Sequence, residues 1–236
     1  ITEPPVFSHL GGFYSASFPL QLSSADPLVT IRYTVDGTEP TALTGLAYSA
    51  PITISSNTAF RARCFKAGKI PSKTVTQTYL INQSAARRSL AAISFTADPV
   101  LALYGPNASG GPANGEGIMA IKGGGYTNYS SKIMWYNRGD MSAFNMPSLH
   151  GRCAERASGF EYYPTSGVPL RTDLGLRISS SGYSRPQLVL SDKPSARFTP
   201  GDPKQKPSFN IFFRSELGES PQDYPFFPDS KITKFE

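Results

Sequence analysis

Tyr33-Thr34-Val35-Asp36-Gly37-Thr38-Glu39-Pro40-Thr41 alternates apolar and polar side chains and then stops at Asp-Gly. That pair tolerates the φ > 0 geometry of a tight hairpin, so the stretch predicts a β-hairpin whose tight turn is Asp36-Gly37. Over residues 30–35 the expected inward set is Ile31, Tyr33 and Val35, and over residues 74–79 it includes Val75 and Tyr79. In Phe60-Arg61-Ala62-Arg63-Cys64, Phe60, Ala62 and Cys64 share one face and the arginines the other, which makes Cys64 a small core residue. Half-buried strands of this kind belong to antiparallel sandwiches, here expected over about residues 6–80.

At 236 residues the chain holds one large or two modest domains. Its 39% hydrophobic and 17% charged residues describe a globular, β-rich protein rather than a disordered one. Gly and Pro, 21 of each, punctuate short runs of Val, Ile, Thr, Tyr and Phe, the pattern of short strands and long loops. Helical periodicity is confined to short candidates near Pro99 to Tyr104 and Arg87 to Ala92, against an all-α or doubly wound fold. No apolar run approaches the ~18 residues of a membrane span. A start at Ile1, with no leader, is expected of a processed or excised part of an exported protein. The net charge of +6 is scattered apart from Arg87-Arg88 and Lys204 to Lys206, which argues against nucleic acid as a partner. Cys64 and Cys153, without CxxC and with only His9 and His150, exclude a structural zinc site. An oxidising exterior would leave a Cys64–Cys153 disulfide open as an alternative to the core thiol.

Asn82 to Arg88 has no core face and reads as a linker. Beyond it, Leu90 to Pro99 reads as a short buried strand stopped by Asp98-Pro99, and residues 105–125 as glycine-dense loops. Arg156 to Pro164, Leu174 to Ile178 and Ser208 to Arg214 alternate like strands. The fold class is therefore all-β to mixed α+β: an antiparallel Ig-like β-sandwich over residues 1–83, then a second, mostly β, loop-rich domain over residues 84–236. Several residues invite chemistry and are weaker than they look. Gly123 to Gly125 lacks the Lys-Ser/Thr of a phosphate loop. Arg138-Gly139-Asp140 is a chance tripeptide in a loop. Asn82, Asn107 and Asn128 sit in Asn-x-Ser sequons. Tyr126, Tyr129, Trp135 and Tyr136 offer faces to sugars, whereas one of Tyr162 and Tyr163 must face a core. Glu155 and Glu161, six residues apart, specify no glycosidase pair.

The first region, through Tyr33 to Thr41, Tyr48 to Ile54, Arg61 to Gly68, Pro71-Ser72 and Tyr79, resembles the small Ig-like module at the C-terminus of chitobiases and β-hexosaminidases. That module recurs as an accessory unit of secreted bacterial proteins. The second region resembles the N-terminal part of the CotH kinase family, through Gly175-Leu176-Arg177-Ile178, Ser181-Gly182-Tyr183-Ser184-Arg185, Lys206 to Gly218 and Tyr224 to Pro228. This resemblance implies an atypical, secreted or spore-associated Ser/Thr protein kinase, using ATP and Mg²⁺ in the full-length protein, with nucleotide held between a β-rich N-lobe and a helical C-lobe. Arg177 to Arg185 is similar to the family's Arg-Ile-His-Gly-Gly-x-Ser-Arg, with Ser179, Ser180 and Ser181 at the His-Gly-Gly positions, and Lys206 to Phe209 to its Lys-Lys-Ser-Phe. The implied nucleotide-binding set is Arg177, Gly182, Ser184, Arg185 and Lys206. Ser184 and Arg185 would line the phosphate side and Lys206 would meet the phosphates, since a Gly/Ser turn lets backbone N–H groups approach while cations neutralise charge. No Asp matches the family's catalytic and metal-binding acids, so the resemblance implies no catalytic or metal residue here and an N-lobe without its C-lobe, inactive by itself. The expectation is an extracellular or cell-surface protein. Two other classes stay open: a non-catalytic cell-surface or matrix component that contacts proteins, and a carbohydrate-binding appendage of a larger glycan-active enzyme.

Overall fold

The computed structural model describes residues 1–104, 117–118, 152–179, 208–218, 222–224, 226 and 234–235. Its described elements are mostly β-strands, and no described helix is long and apolar enough to cross a membrane. The chain forms two compact units, residues 1–97 with 159–172, and residues 98–158 with 173–236.

The first unit begins with β1 (Val6–Phe7), β2 (Gly12–Tyr14), β3 (Phe18–Leu20), β4 (Leu22–Ser23), β5 (Thr30–Thr34), β6 (Leu46–Ala47), β7 (Ile52–Ile54), β8 (Thr58–Phe65) and β9 (Val75–Ile81). A five-stranded sheet in the order β2-β9-β8-β5-β6 is accompanied by two ribbons, β1–β4 and β3–β7. Sheet and ribbons pool their inward side chains in one core, with Phe7, Leu20 and Ile54 from the ribbons and Ile31, Phe60 and Tyr79 from the sheet. Phe60, fully inaccessible, meets Phe7 edge-on at 5.9 Å and stacks on Tyr33 at 4.9 Å. Each fully buried side chain of this size contributes about 1.5–3 kcal/mol, which is why strands of two or three residues hold their places.

The alternation of β8 is as expected. Phe60, Ala62 and Cys64 are all fully buried, with Arg61 and Arg63 on the other face. Cys64 is a free thiol, so the disulfide to Cys153 is not formed. Burial pushes its pKa up against the opposing effect of a hydrogen bond with Ser24.

The strand pairs of the unit are antiparallel, as expected, except that β2 runs parallel to β9 with Gly12 opposite Tyr79. Two expectations need correction. Val35 lies past the end of β5 and is half exposed. Asp36-Gly37 does turn the chain, with Gly37 at φ 86°, but it does not close a two-residue hairpin. Asp36 Oδ1 accepts from the Thr38 N–H at 3.0 Å and the Thr38 hydroxyl at 2.6 Å, the Thr34 hydroxyl donates to the Thr38 carbonyl, and Arg61 Nη1 donates to the Gly37 carbonyl. The segment is thus lashed along β8, and the partner strand β6 arrives only at Leu46, opposite Tyr33. Tertiary hydrogen bonds outweigh the local hairpin preference.

After β9, Asn82 adopts φ 51° and the expected linker holds a single helical turn, α1 (Ala85–Arg88), capped by the Ser84 side chain and burying nothing. Strand β10 (Ala92–Thr96) follows, with Ile93 exposed rather than buried. It pairs antiparallel with β11 (Arg156–Tyr163), whose last five residues belong to this unit.

In the second unit a π-helical turn, Pro99–Tyr104, begins where Asp98 Oδ1 accepts from the N–H groups of Val100 and Leu101. The helical candidate at Pro99 to Tyr104 is therefore real, in a wider winding than α. A 3₁₀ turn, Arg152–Ala154, precedes β11. Strand β12 (Leu170–Ser179) pairs antiparallel through Gly175–Ser179 with β13 (Ser208–Phe212), and β14 (Gln222–Asp223) pairs with β15 (Lys234–Phe235). Leu174, Leu176 and Ile178 are buried, as their alternation predicts.

Candidate functional site

Arg177 is the one member of the implied nucleotide set among the described residues; Gly182, Ser184, Arg185 and Lys206 lie outside them. It projects from β12 between buried Leu176 and Ile178, with Asn210 opposite in register. Its guanidinium lies over the Phe212 ring at 5.0 Å, and its Nε is buried without a hydrogen-bond partner. Arg214 lies over the same ring at 5.0 Å but is neutralised. Its Nε and Nη2 donate to the two Glu155 carboxylate oxygens at 3.1 and 2.7 Å, and that bonding raises its pKa. A bidentate pair of this kind occupies Glu155, which removes it as a free acid for glycan chemistry. Arg177 presents its cation to a π-system, with no ion pair among the described residues. Among the described residues no group of His, Cys, Asp and Glu is arranged to hold a metal.

A polar cluster that the sequence reading did not single out is buried in the first unit. Glu161, 1% exposed, accepts from the Thr78 N–H at 3.1 Å and the Tyr163 hydroxyl at 2.6 Å through Oε1. Arg171 Nε stands 3.6 Å from that oxygen, and Arg171 Nη2 donates to the Gly11 carbonyl at 2.7 Å. Glu161 Oε2 has no partner. Gly11 closes the cluster with its N–H on Gln77 Oε1. Burial pushes the Tyr163 hydroxyl pKa up, and the neighbouring Glu161 adds to the shift. An ion pair this deep is strongly destabilising to break and of modest net worth to form. Its role here is to fix β11 against β9, which it does through one backbone N–H and two side chains. The available signal was the two-residue repeat that sets Glu161 and Tyr163 on one face of a strand, in which Tyr163 is the inward tyrosine and Tyr162 the half-buried one.

A cavity of about 270 Å³ opens beside the Lys66–Asp26 ion pair, with Glu3 and Lys69 on its wall, and none of the sequence-derived site residues lines it.

Residues 20–79, from the last residue of β3 to Tyr79 in β9, match the Fn3 associated family. No curated protein matches the chain. No solved structure matches it either.

Proposed function

We propose that this chain belongs to an extracellular or cell-surface protein in which the Ig-like unit is a non-catalytic accessory module that makes contacts with other molecules. The observation that carries the reading is the β-sandwich whose strands β4 to β8 lie within the Fn3 associated match, which runs on into β9. Antibody raised against the chain should label intact, unpermeabilised cells of the producing organism. Recovery of the protein in the cytoplasmic fraction alone would overturn the proposal.

A second reading keeps the CotH resemblance over residues 84–236, with nucleotide phosphates meeting Arg177, Gly182, Ser184, Arg185 and Lys206. Arg177 favours it, being a half-buried guanidinium with an unpartnered Nε, over the Phe212 ring and without an ion pair among the described residues. ATP should then bind weakly and in a salt-sensitive way by calorimetry, and Arg185→Ala/Lys206→Ala should abolish the heat, each charge-assisted hydrogen bond being worth roughly 1.5–3 kcal/mol. Equal binding by the double variant removes this reading. Labelled ATP with Mg²⁺ and a protein acceptor should give only background transfer, since this chain carries no acid matched to metal or base.

A further inference from the structure

From Pro40 to Ala97 the sequence holds seven Lys and Arg residues and no Asp or Glu. The sheet concentrates part of this charge on one face. Register sets Arg32 of β5 directly opposite Arg63 of β8. Like charges in that position are unfavourable unless an anion lies beside them. One does: Glu39 receives Arg61 Nη2 on one oxygen, and Arg63 Nη1 at 3.4 Å with the Thr74 hydroxyl on the other. Two guanidiniums and a hydroxyl thus already form a receptor for a peptide carboxylate. The receptor is not saturated. Arg61 Nε is buried without a partner, and among the described residues no ion pair involves Arg32 or the exposed Lys73.

We propose that this face, with Arg32, Arg61 and Arg63 around Glu39 and the exposed Lys73 next in sequence to Thr74, binds an acidic segment of a partner protein whose carboxylates seat beside Glu39 and exchange with it. An acidic peptide fits because the ligand already in place is a glutamate on a peptide laid along β8, where Asp36 bridges Ala59 in parallel. This inference rests on reading the Ig-like unit as an interaction module, but not on where in the cell it works, so surface labelling and the test below can fail separately.

The test is fluorescence anisotropy of a labelled decaglutamate peptide with the full 236-residue chain, with decaglutamine as control. Decaglutamate should bind and be released as salt rises, because exposed charge pairs are screened. Arg32→Gln/Lys73→Gln, which leaves every Glu39 contact in place, should bind about tenfold more weakly with an unchanged circular dichroism spectrum. Glu39→Gln should bind more tightly, since it removes the resident competitor. Absence of decaglutamate binding at low salt, equal binding by the folded double variant, or tighter binding of polygalacturonate or single-stranded DNA than of decaglutamate would each overturn the proposal.

Discussion

A side chain at position 11 has nowhere to go. A Cβ built on Gly11 collides with the Tyr163 hydroxyl and falls 2.8 Å from Glu161 Oε1 and 2.9 Å from the Thr78 nitrogen. Gly11→Ala must displace a hydroxyl that serves a buried carboxylate, and overpacking of this kind costs about 1–3 kcal/mol. Tyr163→Phe, which takes away the 2.6 Å donor, leaves Glu161 short of a hydrogen bond and should cost a further ~1–3 kcal/mol. The two changes share one partner, so their costs should not add. In urea melts Gly11→Ala should cost clearly less in the Tyr163→Phe background than in wild type. Strict additivity would mean that the methyl group is accommodated elsewhere.

At the scale of single elements, β8 shows how far alternation can be trusted. Its inward set is uninterrupted, and Cys64 within it is shielded. In a Cys153→Ser background the Cys64 thiol should react with a disulfide reagent only as fast as the unit opens. Reaction at the rate of a free thiol in native buffer would show that the core is looser than described. Strands β8, β11, β12 and β13 were legible because each is long enough for a period of two to declare itself. β2 was not, since three residues carry no period and a parallel partner near the far end of the unit leaves no local trace. The Asp36-Gly37 turn was legible as a turn but not as a hairpin, because Arg61 and Thr34 act on it from outside its own sequence. Of the candidate site, Arg177 could be found from a motif. Of the Glu161 cluster the strand period offered only Glu161 and Tyr163 on one face, because the other members come from residues 11, 77, 78 and 171 and converge only in the fold.

For the molecule as a whole, the buried tyrosines set how it meets alkali. Burial holds the pKa values of Tyr79 and Tyr163 well above the usual phenol range, and Glu161 reinforces both shifts. An acidic group raised on folding stabilises fully below its unfolded pKa, about 10 for Tyr, and that stability is lost as pH rises beyond it. Denaturation midpoints should therefore fall above about pH 10, and Tyr79→Phe should flatten the fall. An identical alkaline slope in that variant would assign the loss to other groups. One feature of the fold also bears on how the chain is made. The first unit is discontinuous, residues 1–97 completed by 159–172, so a nascent chain that has released β9 must wait for Glu161, Tyr163 and Arg171 to leave the ribosome. At roughly 5–20 residues per second the intervening segment takes several seconds to synthesise. Through that interval the Thr78 amide and the Gly11 carbonyl have only water for partners, and the sandwich is complete in sequence register but not yet latched.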